Sequence, residues 1–501
     1  MHVIRDLVHI LTSQARYSGA QWNNFLKILT QKELEAVEMV KSEKAIPRHF
    51  SSTQRHKLVA KLCRQVSYYA PPASRCSEYQ EKRLLCESYV YTFRVLTILK
   101  RFDSAIELSA KILALCNAVN LTLPRIEVLK FLVRHYLPAG GKEYYKYSEM
   151  LQNYHYVFSA ESKAENCYNS LMLLPQDSKN NKARLYDKAT QYQYLLQSFI
   201  DKGITSNEFH LSYFKIQLLA ANMKGDFEEG ISCIQKAMAY FSAQPLVFSK
   251  AMIVLRTELI SIYLQTSQLD KARVVLSEIK ESEIDSTDYV KCQRLLIRLN
   301  LMQQQYERAY KVFKSLLHSP QYSNLLPVDA HIETITAQYF NVLILMGFLP
   351  AEQPPSRIMI NRFLKKEPGV NYLKKEIRIQ LIIVQLLFNI YYREYDDMEV
   401  RLDTLKDYCA RRLSVKSPFL RSNIFIRMLL VIPICRFNSI RSRRHGLKLY
   451  KRLINDSTSD LRKDDRSLEI IPYERLWDLV LEHLSHPKNT SVGVTHMRQL
   501  S

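Results

Sequence analysis

Apolar side chains recur at spacings of three and four along most of the chain. Leu255, Leu259, Ile262 and Tyr263 keep this rhythm, and Val274, Val275 and Ile279 resume it after a polar break. Such spacing gathers apolar residues on one side of an α-helix, whereas a half-buried strand needs strict alternation, which is scarce here. The pattern predicts an almost wholly α-helical chain. Breaks fall at Pro71-Pro72, Pro138 to Gly141, Gln176 to Lys182, Pro320 to Pro327, Pro350 to Ser356 and Pro368-Gly369, where proline and glycine end helices. None is long enough to be a flexible linker. The residues after Ser485 read as a frayed tail.

A local pattern recurs across these breaks. A polar turn is followed by an aromatic residue or Leu, two polar residues, and a small residue opening the next helix. It occurs at Phe102 with Ala105, Phe227 with Gly230, Leu269 with Ala272, Tyr306 with Ala309, and Tyr395 with Met398. The anchors are 125, 42, 37 and 89 residues apart. The first gap is about three times, and the last about twice, a unit of roughly 40 residues, the size of a helix pair in repeat proteins. The small residue lets two helices approach closely. The aromatic residue is expected to wedge into the neighbouring pair. A single pair cannot bury its own apolar face, so pairs stack.

These residues resemble the tetratricopeptide repeat. Leu259 and Tyr263 stand where that family has Leu and Tyr on its first helix, and Ala272 stands at its small second-helix position. The following unit matches through Leu296, Ala309, Phe313 and Pro320. The preceding one matches through Gly225, Gly230 and Ala237, and an N-terminal one chiefly through Ala105. The family's first-helix glycine is replaced by Phe93, Ile260 and Ile297, and the spacing exceeds the usual 34 or so. The resemblance is strongest from Asn207 to Pro320. It implies a protein-interaction scaffold with a concave binding surface and no catalysis. The expected fold is all-α: a right-handed α-solenoid of stacked helix pairs with a basic C-terminal helical cap. The expected division is an N-terminal region of degenerate repeats over 1–200, repeats over 201–413, the cap over 414–485 and a flexible tail over 486–501.

Composition narrows the chemistry. The chain is 47% hydrophobic and 24% charged, as a folded protein should be, yet has only 10 glycines in 501 residues. Phosphate loops, nucleophile elbows and tight hairpins depend on glycine, so nucleotide enzymes and all-β folds are disfavoured. The run Ala139-Gly140-Gly141-Lys142 lacks the remaining residues of a phosphate loop and reads as a helix–helix turn. Nine cysteines are scattered without paired spacing, suiting buried thiols in a reducing compartment. His483 and His486 are the nearest approach to a metal pair, and no metal or cofactor is expected. No signal peptide is read at the N-terminus, and the apolar run Ile377 to Tyr392 is shorter than the roughly 20 residues that span a bilayer. A cytoplasmic protein without membrane insertion is expected.

Charge adds one surface. The net charge is +22. Residues 411–466 hold 15 Lys/Arg and 4 Asp/Glu, a net of +11, so half the excess sits in about a ninth of the chain. Arg441, Arg444, Lys448 and Lys451 recur at helical spacing, with Arg436, Arg443 and Arg452 beside them. Leu447, Tyr450 and Ile454 are expected to form the opposite, buried face. The basic helix is a candidate site for an acidic partner or for phosphates. Thirty-one tyrosines, often beside lysines, read mainly as packing residues between helices. The expected partner is another protein or peptide of acidic character, with nucleic acid the rival.

Overall fold

The computed structural model describes residues 25–42, 77–174, 179–279, 286–323, 330–350, 354–358, 375–393, 419–456 and 469–485, with single positions or pairs at 8, 23, 51, 53–54, 57–58, 61–62, 360 and 409. Among the described residues the regular structure is entirely helical. In chain order the helices are α1 (Gln31–Lys41), α2 (Glu78–Ile98), α3 (Phe102–Val119), α4 (Leu123–Tyr136), α5 (Gly141–Met172), α6 (Lys179–Asp201), α7 (Asn207–Lys224), α8 (Phe227–Ser242) and α9 (Ser249–Gln265). They continue as α10 (Leu269–Ser277), α11 (Ser286–Met302), α12 (Tyr306–Leu317), a single turn α13 (Pro320–Ser323), α14 (Ala330–Leu345), α15 (Lys375–Tyr392), α16 (Leu420–Ile434), α17 (Ser439–Asp456) and α18 (Tyr473–Ser485). The turn Pro138 to Gly141 joins α4 to α5, as a helix–helix connection should.

One turn is built repeatedly. Lys100, Gly225, Ser267 and Gln304 adopt left-handed backbone, with φ of 56°, 75°, 59° and 62°. The next residue (Arg101, Asp226, Gln268 or Gln305) is the N-cap of the following helix, with φ near −90° and ψ between 62° and 89°. Its N–H donates back to the carbonyl five residues earlier at 2.8–3.0 Å, satisfying an otherwise orphaned helix end. Phe102, Phe227, Leu269 and Tyr306 then open the helix, and the small residue falls one turn in. Ala105, Gly230, Ala272 and Ala309 are all buried there. A Cβ on Gly230 would lie 3.3 Å from Ile262 and 3.6 Å from Leu218, which shows how close the helices come. Phe102 is the exception among the anchors: it is 43% exposed and rests against Phe131 and His135 of α4. The fifth expected motif, at Tyr395 and Met398, lies outside the described residues.

The chain divides into two compact units. One comprises Met1–Ser159 with Gln244–Ser249, the other Ala160–Ala243 with Lys250–Ser501. In the first, α2, α3 and α4 pack around Cys86, Val90, Phe93, Ala105, Ile112, Cys116, Val128 and Leu132. Ser77 caps α2 through a reciprocal bond with Gln80, and its hydroxyl meets that of Ser249 at 3.2 Å. In the second unit, neighbouring helices pack in succession: α6 on α7, α7 on α8, α11 on α12, α14 on α15, α16 on α17 and α17 on α18. Apolar residues from α11 through α18 form one continuous core.

α16 is apolar on nearly all sides and buried along its length, the signature of a helix wrapped by others. A buried charge within it needs partners. Arg421 is fully buried and donates to Glu469 at 2.6 and 3.3 Å, to Glu474 at 2.8 Å and to the Leu453 carbonyl at 2.9 Å. Burial pushes the Glu469 carboxyl above the ordinary range, against the pull of the Arg421 guanidinium. Nearby, Tyr339 donates to Gln380, whose amide donates to the Tyr473 hydroxyl, and Ser422 meets that same hydroxyl at 3.0 Å. Tyr339, Gln380, Ser422 and Tyr473, from α14, α15, α16 and α18, thus form one hydrogen-bonded chain inside the core.

Candidate interaction surfaces

Two surfaces of the second unit carry chemistry that packing alone does not explain. The first runs across the opening helix of each pair. Lys215 of α7 lies over the Tyr168 ring of α5, 5.2 Å from its centroid. Glu208 of α7 pairs with Lys250 of α9 at 3.8 Å, Glu258 of α9 with Lys291 of α11 at 2.7 Å, and Arg294 of α11 with Glu333 of α14 at 2.5 Å. One polar bridge therefore joins each first helix to the next. Burial holds the Lys215 ammonium below the ordinary lysine range, with the Lys250 charge acting in the same direction. Along the same helices Ser212, Val254 and Ser261 are half-exposed between the bridges. Anchoring on apolar residues alone misses this ladder. A signal was present: Lys250 and Lys291 are 41 residues apart, one unit of the repeat.

The second surface is α17. It begins with a longer variant of the repeat turn, in which Arg436 as well as Phe437 is left-handed (φ 53° for Arg436). Phe437 is left-handed (φ 56°), and its N–H donates to the Ile432 carbonyl at 3.0 Å. Asn438 caps the helix, its side chain accepting from the Arg441 N–H at 2.9 Å. Ser442 then occupies the small position and is fully buried. One turn on, Gly446 lies against the indole of Trp477 on α18: a Cβ there would be 2.9 Å from Cζ2. The buried face is thus Ser442, Gly446 and Leu453, with Leu449 and Tyr450 at its edge. The expectation for Leu447 and Ile454 is corrected: they are 45% and 40% exposed. Small residues, not large apolar ones, decide which side of this helix meets the core.

All seven predicted basic residues are exposed: Arg436, Arg441, Arg443, Arg444, Lys448, Lys451 and Arg452. The structure brings six of them onto α17 and places Arg436 in the turn before it. Arg443 lies close enough to Asp478 of α18 to pull that carboxyl down, although burial outweighs it and the Asp478 carboxyl sits above its ordinary range. Among the described residues no carboxylate comes within 4.0 Å of Arg436, Arg441, Arg444, Lys448 or Lys451. His483 packs on Tyr391 at 5.3 Å between ring centroids, and His486 lies outside the described residues.

Comparison of the chain with protein-family models, curated proteins and solved structures finds no match. Among the described residues no helix is long and apolar enough to cross a membrane.

Proposed function

We propose that the chain is a non-catalytic protein-binding scaffold: a tetratricopeptide-like, right-handed solenoid of helix pairs whose opening helices border a concave surface for a partner protein or peptide. The observation that carries this reading is the ladder of bridges from Tyr168–Lys215 to Arg294–Glu333, which links each opening helix to the next. In a stack of pairs, the helices so aligned supply one extended surface. Small residues such as Ser212 and Ser261 lie on the same helices as these charges, and a guest chain would lie across them.

The test is affinity purification of the full chain from its own cells, wild type against Ser212→Arg/Ser261→Arg, with circular dichroism confirming that both fold alike. Recovery of a defined protein with the wild type and its loss with the variant supports the reading. Equal recovery by both overturns it. The rival reading, contact with a nucleic-acid backbone, draws on Arg441, Arg444, Lys448 and Lys451 of α17, which have no carboxylate within 4.0 Å among the described residues. It is checked by anisotropy of labelled single-stranded RNA and duplex DNA across a salt series, where a steep fall in affinity with salt is its signature.

A further inference from the structure

The exposed side of α17 is not purely basic. Ile440, Leu447 and Ile454 face solvent, Ile440 at 74% exposure. They are seven residues apart, so each step advances about 10.5 Å along the axis, and all three fall within about 40° of one another around the helix. Arg444 and Lys451 interleave with them. Arg441 and Lys448 flank one side of the stripe and Arg443 the other. The helix cannot roll to hide these residues, because Gly446, about 100° round the helix from the stripe, is held against Trp477.

A helix–helix seam uses two positions in each heptad; Ile440, Leu447 and Ile454 fill one of them with aliphatic side chains, and Arg444 and Lys451 fill the other with cations. We infer that α17 docks an acidic amphipathic α-helix of a partner protein, with aliphatic residues at seven-residue intervals and Asp or Glu beside them. Charge complementarity selects this occupant. Arg441, Arg444, Lys448 and Lys451 could each take a carboxylate without surrendering an existing ion pair among the described residues. A bilayer surface suits the stripe poorly. Helices that lie in the membrane interface bury a broad apolar face, and here three aliphatic side chains within about 40° have Arg444 and Lys451 directly beside them. A phosphate backbone would neutralise the cations and leave Ile440, Leu447 and Ile454 without a purpose. This surface is separate from the first-helix ladder, so the two assignments stand or fall independently.

The test uses the full chain and a fluorescein-labelled synthetic helix of four heptads (about 28 residues) carrying Leu on its seam and Glu beside it. A second peptide carries Lys in place of Glu. Anisotropy is read against wild type, Ile440→Ser/Leu447→Ser and Arg444→Glu/Lys448→Glu. All four substituted positions are exposed, and circular dichroism checks folding. The expected result is binding of the Glu peptide alone, weakened about tenfold by each double variant, with the charge reversal losing its effect as salt rises from about 0.1 to 1 M. Several results would overturn the assignment: no binding of either peptide; binding indifferent to Ile440→Ser/Leu447→Ser; equal binding of duplex DNA or single-stranded RNA that ignores the same variant; or binding of phosphatidylserine vesicles that depends on Leu447.

Discussion

A methyl group added at position 446 would strike the Trp477 ring at 2.9 Å, whereas one added at position 230 would touch the flexible tip of Ile262 at 3.3 Å. Gly446 lies inside α17 and Gly230 one turn into α8, positions where replacement by Ala is worth up to about 1 kcal/mol in propensity. Geometry splits them. Gly446→Ala should destabilise by about 1–3 kcal/mol, because a buried indole has nowhere to go. Gly230→Ala should change stability by less than about 1 kcal/mol, since the contact offsets the propensity gain. Urea unfolding of the two variants decides the matter: equal shifts would mean the 446 contact is not tight. A third residue sets a pH dependence. His210 is buried beneath the Tyr240 ring at 4.3 Å, and burial holds its pKa below the usual histidine value. The folded state therefore binds fewer protons than the unfolded state in acid. Stability should be full above about pH 6.5 and decline as the pH falls through the lowered value. His210→Gln should flatten the unfolding free energy measured across that range.

At the scale of elements, the recurring turn uses non-glycine residues where glycine is cheapest. Lys100, Ser267 and Gln304 each hold a left-handed backbone that costs an L-residue about 1–2 kcal/mol. Ser267→Gly and Gln304→Gly should each raise stability by about 0.5–1 kcal/mol, read as a higher Tm, because the backbone bonds that define the turn do not involve the side chain. A neutral or lower Tm would show that these side chains contribute. This geometry was partly legible in the sequence. Phe227, Leu269 and Tyr306 mark three turns of the second unit, because an aromatic or Leu with Ala or Gly three residues later is distinctive. The turn before α17 is not legible in the sequence, since it has two left-handed residues and Ser439 and Ser442 give no hydropathy signal. Its buried face is hidden from a hydropathy reading for the same reason. Leu447 and Ile454 look like core residues in sequence, while Ser442 and Gly446 look like surface. The Arg421 cluster could not be read at all, because Glu469 lies 48 residues away. Arg421→Met leaves the Glu469 carboxyl buried without its counter-ion and should cost about 3–5 kcal/mol, and adding Glu469→Gln should recover much of that. Urea midpoints of the single and double variants test it.

Over the whole molecule, the charge excess and the stability sit in different places. The cations of α17 are exposed and off the buried face, so Arg441→Ala, Arg444→Ala, Lys448→Ala and Lys451→Ala should each alter unfolding free energy by no more than about 0.5 kcal/mol. A larger loss would assign them to the fold and not to a partner. The helical class of the chain was readable throughout, because a period of 3.6 survives where individual motifs have drifted. The surfaces were readable only where charge clusters along the chain, as on α17. The first-helix ladder draws one or two residues from each of five helices, so it emerges only on folding.

The contact between Gly446 and Trp477 has a practical outcome. The chain holds two tryptophans, Trp22 and Trp477, and the second is buried directly beneath the exposed face of α17. With Trp22 replaced by Phe, the remaining indole becomes an intrinsic optical gauge of that helix. A ligand pressing on Ile440 and Leu447 from outside will be felt by the ring inside, so emission wavelength and acrylamide quenching will register occupancy of α17 without any label on either molecule.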